Sequence, residues 1–170
     1  MTTLEINRIN TKDVNIEDAT PAMQQYLQTK KEYQDSILLY RMGDFYETFF
    51  EDAVRMSKEL EITLTARDCG NVLGKIPLAG IPAKALDGYL EKLVQKNIKV
   101  AVCEQLEDPK FAKGIVKRGV TRVITAGTIT ESNLLDKNKN NYICALFKDE
   151  KSDNYGFAYT DISTGEFKVS

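Results

Sequence analysis

An aromatic residue and two acids follow a glycine in the stretch RMGDFYETFFEDA, residues 41–53. An exposed phenylalanine can wedge between DNA bases, and a carboxylate beside it can hydrogen-bond a base edge. Phe45 and Glu47 are therefore candidates for contacts outside the protein. A structural role is also open, because Asp44 and Glu47 have the spacing of a capping box at a helix start, with Phe45 merely packed. Spacing alone favours the capping role.

Two other stretches have residue types suited to phosphate or metal chemistry. GNVLGKI, residues 70–76, fails as a phosphate-binding loop because only three residues separate its glycines and Ile76 replaces the hydroxyl that would hold magnesium. We interpret it as a polar turn between strands. Acid pairs such as Glu104 with Glu107 have the chemistry of a metal-dependent nuclease. No strand spacing singles out such a site, so a nuclease is the least favoured hypothesis.

Composition excludes several common chemistries. Histidine is absent from the 170 residues, and the three cysteines, Cys69, Cys103 and Cys144, lie far apart. This pattern argues against a zinc site, a disulfide framework and a histidine-activated nucleophile. No apolar run approaches the roughly 20 residues of a membrane span, and the start of the chain lacks a signal-peptide pattern. We expect no membrane partner and a cytoplasmic protein.

Charge gives no overall preference for nucleic acid, because the formal net charge is −2. One segment nevertheless contains five basic residues and no acid between residues 109 and 130: Lys110, Lys113, Lys117, Arg118 and Arg122. Such a run is most often a solvated surface, although it can also assist a phosphate contact.

Hydrophobic spacing indicates the elements that must position these residues. Residues 1–19 lack periodicity and predict a flexible leader, after which Thr20 and Pro21 predict a helix start. The apolar run over 36–43 predicts a buried strand, and Asp44 is expected to open a helix that reaches residue 60. Further along we expect a strand over 61–67, a loop with a short extended piece over 68–82, a helix over 83–97, a buried central strand over 98–106 and a β-rich stretch over 116–129. The predicted fold class is α/β, a mixed β-sheet flanked by helices.

A polar, asparagine-rich segment interrupts this pattern after about residue 132. We interpret residues 133–139 as a linker and residues 140–170 as two or three hairpin-linked strands. About 30 residues of meander bury too little surface to be stable alone. We therefore expect this part to be the truncated start of a second domain in a longer protein.

Several motifs, in order and with short gaps, closely resemble the N-terminal mismatch-recognition domain of the bacterial MutS family of DNA mismatch repair proteins. The resemblance covers residues 20–132, and YICALF and DISTGEF resemble the start of that family's connector domain. The motifs within it are TPAMQQYLQTKKEY, ILLYRMGDFYETFFEDA, ITLTAR, IPLAGIP, YLEKLV, VAVCEQLEDP and VKRGVTRVITAGTI.

The resemblance implies a role for Phe45 and Glu47. It implies that Phe45 enters the minor groove and stacks on a mispaired or unpaired base, while Glu47 hydrogen-bonds that base. Less firmly, it implies that Leu78 lies beside the minor groove and that Arg67 meets a phosphate, and Arg41 can add favourable charge. The family usually has an aromatic and a histidine after AGIP, where this chain has Ala83 and Lys84.

The resemblance also implies what lies outside these residues. MutS proteins act as dimers, carry an ATPase that uses ATP and magnesium, and work with a MutL-type repair partner. We expect the 170 residues themselves to bind mismatched double-stranded DNA weakly, to need no cofactor and to catalyse no reaction. The alternative is a structural or protein-interaction module of a MutS-like protein in which mismatch reading has lapsed and the acids at 44 and 47 only cap a helix.

Overall fold

The computed structural model describes residues 10–112, 114–126, 140 and 142–170. The chain divides into two compact units, residues 1–124 and 125–170, which are described separately. The expected linker over 133–139 lies outside the described residues, as does Lys113 of the basic segment.

A six-stranded mixed sheet forms the first unit, in the order β3-β4-β2-β1-β5-β6. Only β1 and β5 pair in parallel, and every other pair is antiparallel. Both central strands are buried along their first four residues, so that alternate side chains on both faces are covered. The strands are β1 (Ile37–Met42), β2 (Phe45–Phe49), β3 (Thr65–Asp68), β4 (Lys75–Pro82), β5 (Val100–Gln105) and β6 (Arg118–Ile124).

Three helices accompany this sheet: α1 (Pro21–Glu32), α2 (Phe50–Leu60) and α3 (Leu86–Gln95). Helix α1 begins with proline in its first turn, as predicted, although the Thr20 side chain makes no capping hydrogen bond. Its Tyr26 is fully buried and meets the rings of Tyr40 and Phe49 edge-on, at 5.4 and 4.8 Å between centroids. These contacts fix one face of β1 and β2 against α1. The predicted mixed α/β sheet is thus confirmed.

The prediction that a helix begins at Asp44 is wrong. Residues 43 and 44 instead form the tight turn of a β-hairpin, and Phe45 pairs with Met42 at the start of β2. Gly43 takes a φ of +61°, which a glycine adopts without a steric penalty, and aromatic and β-branched residues favour the following strand. Helix α2 begins only at Phe50, and no side chain caps it. The capping box is therefore absent.

Residues 10–19 are not a loose leader in this structure. They form two short 3₁₀ turns, Thr11–Asp13 and Ile16–Asp18. Val14 and Ala19 are buried in the core beside α1. The backbone N–H of Thr11 also donates to the Glu51 carboxylate at 2.9 Å. Apolar burial of two small side chains therefore orders a segment that shows no sequence periodicity.

The segment over 68–82 contains more strand than its prolines and glycines indicated. It forms the end of β3, a turn over 70–74 and the eight-residue strand β4, which pairs with β3 on one side and β2 on the other. Ile76, Ala79 and Ile81 are completely buried. The burial of these side chains stabilises the strand, although prolines disfavour an interior position in a sheet. GNVLGKI is accordingly a turn between strands, as predicted.

The second unit contains a three-stranded antiparallel sheet in the order β7-β8-β9. Its strands are β7 (Tyr142–Lys148), β8 (Tyr155–Asp161) and β9 (Phe167–Val169). The turns lie at the positions that the sequence indicated, near Ser152 and Gly165. The prediction of hairpin-linked strands is confirmed.

Candidate nucleic-acid interface

Phe45 lies at the outer end of the sheet. It is the first residue of β2 and is flanked by Met42 on β1 and by Pro82 on β4. The backbone N–H of Ala83 donates to the Asp44 carbonyl oxygen at 2.8 Å, which ties the hairpin turn to the end of β4. The Phe45 side chain is nevertheless 48% exposed, although large aromatic residues are usually buried. Rigid backbone on both sides thus presents an uncovered aromatic ring.

A surface groove of about 710 Å³ surrounds this ring. Ala83 and Lys84, the two residues that follow AGIP, lie in its wall and place a small side chain and a cation beside the ring. The lining residues are Arg41, Asp44, Phe45, Pro82, Ala83 and Lys84.

Glu47 projects from the same face of β2 as Phe45, because side chains of a strand alternate. Two residues of strand separate the two Cα atoms by about 7 Å. On β4 the residue opposite Glu47 is Gly80, and a Cβ there would lie 3.6 Å from Glu47 Cγ and 3.4 Å from the Tyr46 carbonyl oxygen. Sequence reasoning missed Gly80, although a glycine inside an apolar strand signals close approach of a neighbour.

An ion pair holds the Glu47 carboxylate. Arg67 Nη1 lies 2.7 Å from Glu47 Oε2, with side-chain exposures of 40% and 21% respectively. Among the described residues, no group hydrogen-bonds the second oxygen, Oε1. One oxygen is therefore held within the protein, while the other is open.

Burial raises the pKa of the Glu47 carboxyl above its ordinary value, although the Arg67 and Arg118 guanidinium groups act in the opposite direction. The protonation of Glu47 therefore depends on burial, opposed by two arginines.

Arg41 lines the groove and is held by local contacts. Its Nε donates to the Gly43 carbonyl oxygen, and its guanidinium lies over the Tyr46 ring, 5.1 Å from the centroid. Tyr46 itself is buried and hydrogen-bonds Glu104. Arg41 thus braces the hairpin as well as placing a positive charge beside Phe45.

Leu78 and the basic segment lie further from the ring. Leu78 is the cross-strand partner of Phe49, four residues along β4 from the partner of Phe45, and packs against the core. Arg118 donates to the Arg41 carbonyl oxygen at 2.7 Å and lies over the Tyr40 ring. The structure therefore groups Arg41 with Phe45, and Arg67 with Glu47, whereas Leu78 does not line the groove around Phe45.

The fold and this site define a small mixed α/β domain that presents an exposed aromatic and an acid at one end of its sheet. Residues 20–133 match the model of the family described as MutS domain I. The chain belongs to that family.

Three similar proteins are each named "DNA mismatch repair protein MutS". The one from Syntrophomonas wolfei is 58% identical over 153 residues, which is 90% of this chain and 18% of the relative. The one from Alkaliphilus oremlandii is 57% identical over 147 residues, or 86% of this chain and 16% of the relative. The one from Acetivibrio thermocellus is 53% identical over 148 residues, 87% of this chain and 17% of the relative. The chain thus spans less than a fifth of the length of these relatives.

The described residues lack two further features. None of their helices is long and apolar enough to cross a membrane. They also contain no group of three or more cysteine, aspartate or glutamate side chains arranged to hold a metal ion.

Proposed function

We propose that this domain reads mispaired or unpaired bases in double-stranded DNA, with Phe45 as the wedge and Glu47 as the hydrogen-bonding group. The observation that carries the proposal is the 48% exposed Phe45 ring at the outer end of β2, in contrast to the buried Phe49 ring at the other end of the same strand. Membership in the MutS domain I family and the name of the similar proteins support DNA mismatch repair as the setting.

The physical basis is the lower cost of deforming a mismatch. Inserting an aromatic ring between base steps unstacks them and kinks the duplex, at a cost of a few kcal/mol per step. A mispair is already poorly stacked, so the same wedge meets a smaller penalty there. Because the hairpin turn and β4 hold the backbone of Phe45, little conformational entropy is lost on insertion.

Glu47 contributes discrimination through its charge. An ionised carboxylate near DNA phosphates is repelled, which weakens binding to an ordinary duplex. A base edge that hydrogen-bonds the open Oε1 offsets that repulsion at a mismatch. The raised pKa of Glu47 also brings its protonated form closer to neutral pH, and that form can donate to a base acceptor.

Other parts of the proposal concern the longer protein. We propose that it acts as a homodimer, that ATP and magnesium act in an ATPase region beyond these residues, and that a MutL-type protein is its repair partner. Arg41 and Leu78 remain proposed DNA contacts, and Arg41 lines the groove with Phe45.

The proposal is tested by Phe45→Ala in the full-length protein, with binding to a G·T duplex and to the matched duplex measured at one salt concentration. Loss of the wedge should reduce the preference for the mismatch to near unity, because stacking on a base contributes about 1–3 kcal/mol. Val72→Ala is the control, since Val72 is a 67% exposed apolar residue in the β3–β4 turn, at the opposite end of β4 from Phe45. A mismatch preference that survives Phe45→Ala would refute the wedge.

A further inference from the structure

The contact between Arg67 and Glu47 joins two strands that are not neighbours. Arg67 on β3 pairs with Ile76 of β4, whereas Glu47 on β2 pairs with Gly80, four residues further along β4. The Arg67 side chain therefore extends diagonally across β4. Its guanidinium lies 5.8 Å from the Phe49 ring centroid, on the path to Glu47. The Arg67 side chain is thus extended across β4 and bonded within the protein.

The ion pair with Arg67 gives the two oxygens of the Glu47 carboxylate different surroundings. Arg67 Nη1 holds Oε2 at 2.7 Å, and in the described part of the chain Oε1 has no hydrogen-bond donor. Gly80 leaves the opposite position without a side chain, so the carboxylate has room beside β4. A charge-assisted hydrogen bond at one oxygen restricts the orientations that the carboxylate can adopt.

We infer that Arg67 is a positioning residue for mismatch reading: it holds Glu47 Oε2 so that Oε1 is presented to the base. The inference rests on the proposed function and deepens it. It assigns Arg67 to Glu47, whereas the sequence resemblance assigned it to a phosphate.

The energy of the pair is suited to this role. A partly exposed ion pair changes an equilibrium constant by about 1.4- to fivefold. That is enough to bias one orientation of a side chain but too little to prevent adjustment when DNA binds. Arg67 also lowers the pKa of Glu47, which burial alone would raise further. Removing Arg67 therefore leaves the carboxylate less oriented and more readily protonated.

The test is a double-mutant cycle in the full-length protein with Arg67→Gln, Glu47→Gln and the double variant. The measured quantity is the ratio of the dissociation constants for matched and G·T duplexes. Arg67→Gln should lower this ratio about 1.4- to fivefold when Glu47 is present, which is the range expected for a surface ion pair. In the Glu47→Gln background, Arg67→Gln should leave the ratio unchanged. Arg67→Lys, which keeps the charge, should restore part of the preference.

Lys75→Gln is the control for charge. Lys75 is exposed on β4, its neighbour across the strands is Asp68, and alternation directs it to the opposite face from Ile76. Lys75→Gln removes the same charge as Arg67→Gln but lies away from Glu47. It should leave the ratio of the two dissociation constants unchanged. Thermal unfolding of each variant monitors the fold.

A phosphate contact would give a different result. Arg67→Gln would then weaken binding to both duplexes by one factor in both backgrounds and reduce the salt dependence by about one unit of slope, and the inference would be overturned. If Glu47→Gln lowers the ratio but Arg67→Gln does not, only the role of Arg67 fails. If Glu47→Gln itself has no effect on the ratio, the proposed role of Glu47 fails and the inference fails with it.

Discussion

At the scale of single residues, the site depends on strand alternation. Phe45 and Glu47 lie on one face of β2, while Tyr46 between them is buried and hydrogen-bonds Glu104. The two outward residues are therefore free to differ from the core in their chemistry. The ring presents apolar surface and the acid presents one open oxygen, on a backbone that β1 and β4 hold from both sides.

The charge of Glu47 gives a prediction that separates repulsion from simple contact loss. In the full-length protein, Glu47→Ala should strengthen binding to a matched duplex by about fivefold, because a unit charge near a phosphate costs about 1 kcal/mol in water. Fluorescence anisotropy at fixed low salt measures this. Asp153→Ala, which removes an exposed acid from the β7–β8 turn, should have no such effect. Weaker binding of Glu47→Ala to both duplexes would contradict the repulsion argument.

At the scale of elements, a buried ion pair joins α1, β1 and α2. Lys30 Nζ lies 2.7 Å from Asp52 Oδ2 and donates to the Ser36 carbonyl oxygen at 2.6 Å. Asp52 Oδ2 also accepts the backbone N–H of Leu38 at 3.0 Å. Both charged side chains are almost completely buried. The pair thus aligns two helices with the strand that precedes the hairpin.

Removing one partner of this pair should destabilise the fold. Lys30→Met leaves the Asp52 carboxylate buried without its cation and should lower the free energy of unfolding by about 3–5 kcal/mol. Urea unfolding of the chain measures the change. Lys31→Met, at an exposed position on the same helix, should alter stability little. A loss of less than about 1 kcal/mol for Lys30→Met would show that the pair is not needed.

The pH dependence of that loss follows from the pKa of Asp52, which burial raises despite the attraction of Lys30. An acid whose pKa is higher in the folded state contributes most stability below its unfolded pKa, and that contribution is lost as the pH rises through its folded pKa. Lys30→Met raises the folded pKa of Asp52 further. The destabilisation should therefore be smaller at about pH 4 than at pH 7.

At the scale of the whole molecule, charge limits what the 170 residues achieve alone. The net charge of −2 gives little long-range attraction to DNA, and a single wedge site makes few phosphate contacts. The isolated chain should therefore bind a G·T duplex with a dissociation constant weaker than about 1 μM at physiological salt. Titration of a labelled duplex checks this. Submicromolar binding by the chain would show that the backbone affinity lies within these residues.

The sequence by itself determined the fold class and the segment that carries the site. Apolar runs and helical spacing give buried strands and amphipathic helices because burial of apolar surface dominates the folding energy. The central strand β5 and the helix start at Pro21 were predictable for this reason. The motif around Phe45 was recognisable because its residue types and order are local information.

Only the tertiary structure decided the conformation of that motif. Capping-box spacing indicated a helix at Asp44, but pairing of β2 with β1 and β4 outweighed the local preference and made it a hairpin. The partner of Glu47 was equally hidden, because Arg67 is 20 residues away along the chain. The exposure of Phe45 and the bonding of only one Glu47 oxygen by Arg67 depend on contacts between strands that are distant in sequence. The spacing of residues within one segment does not encode such contacts.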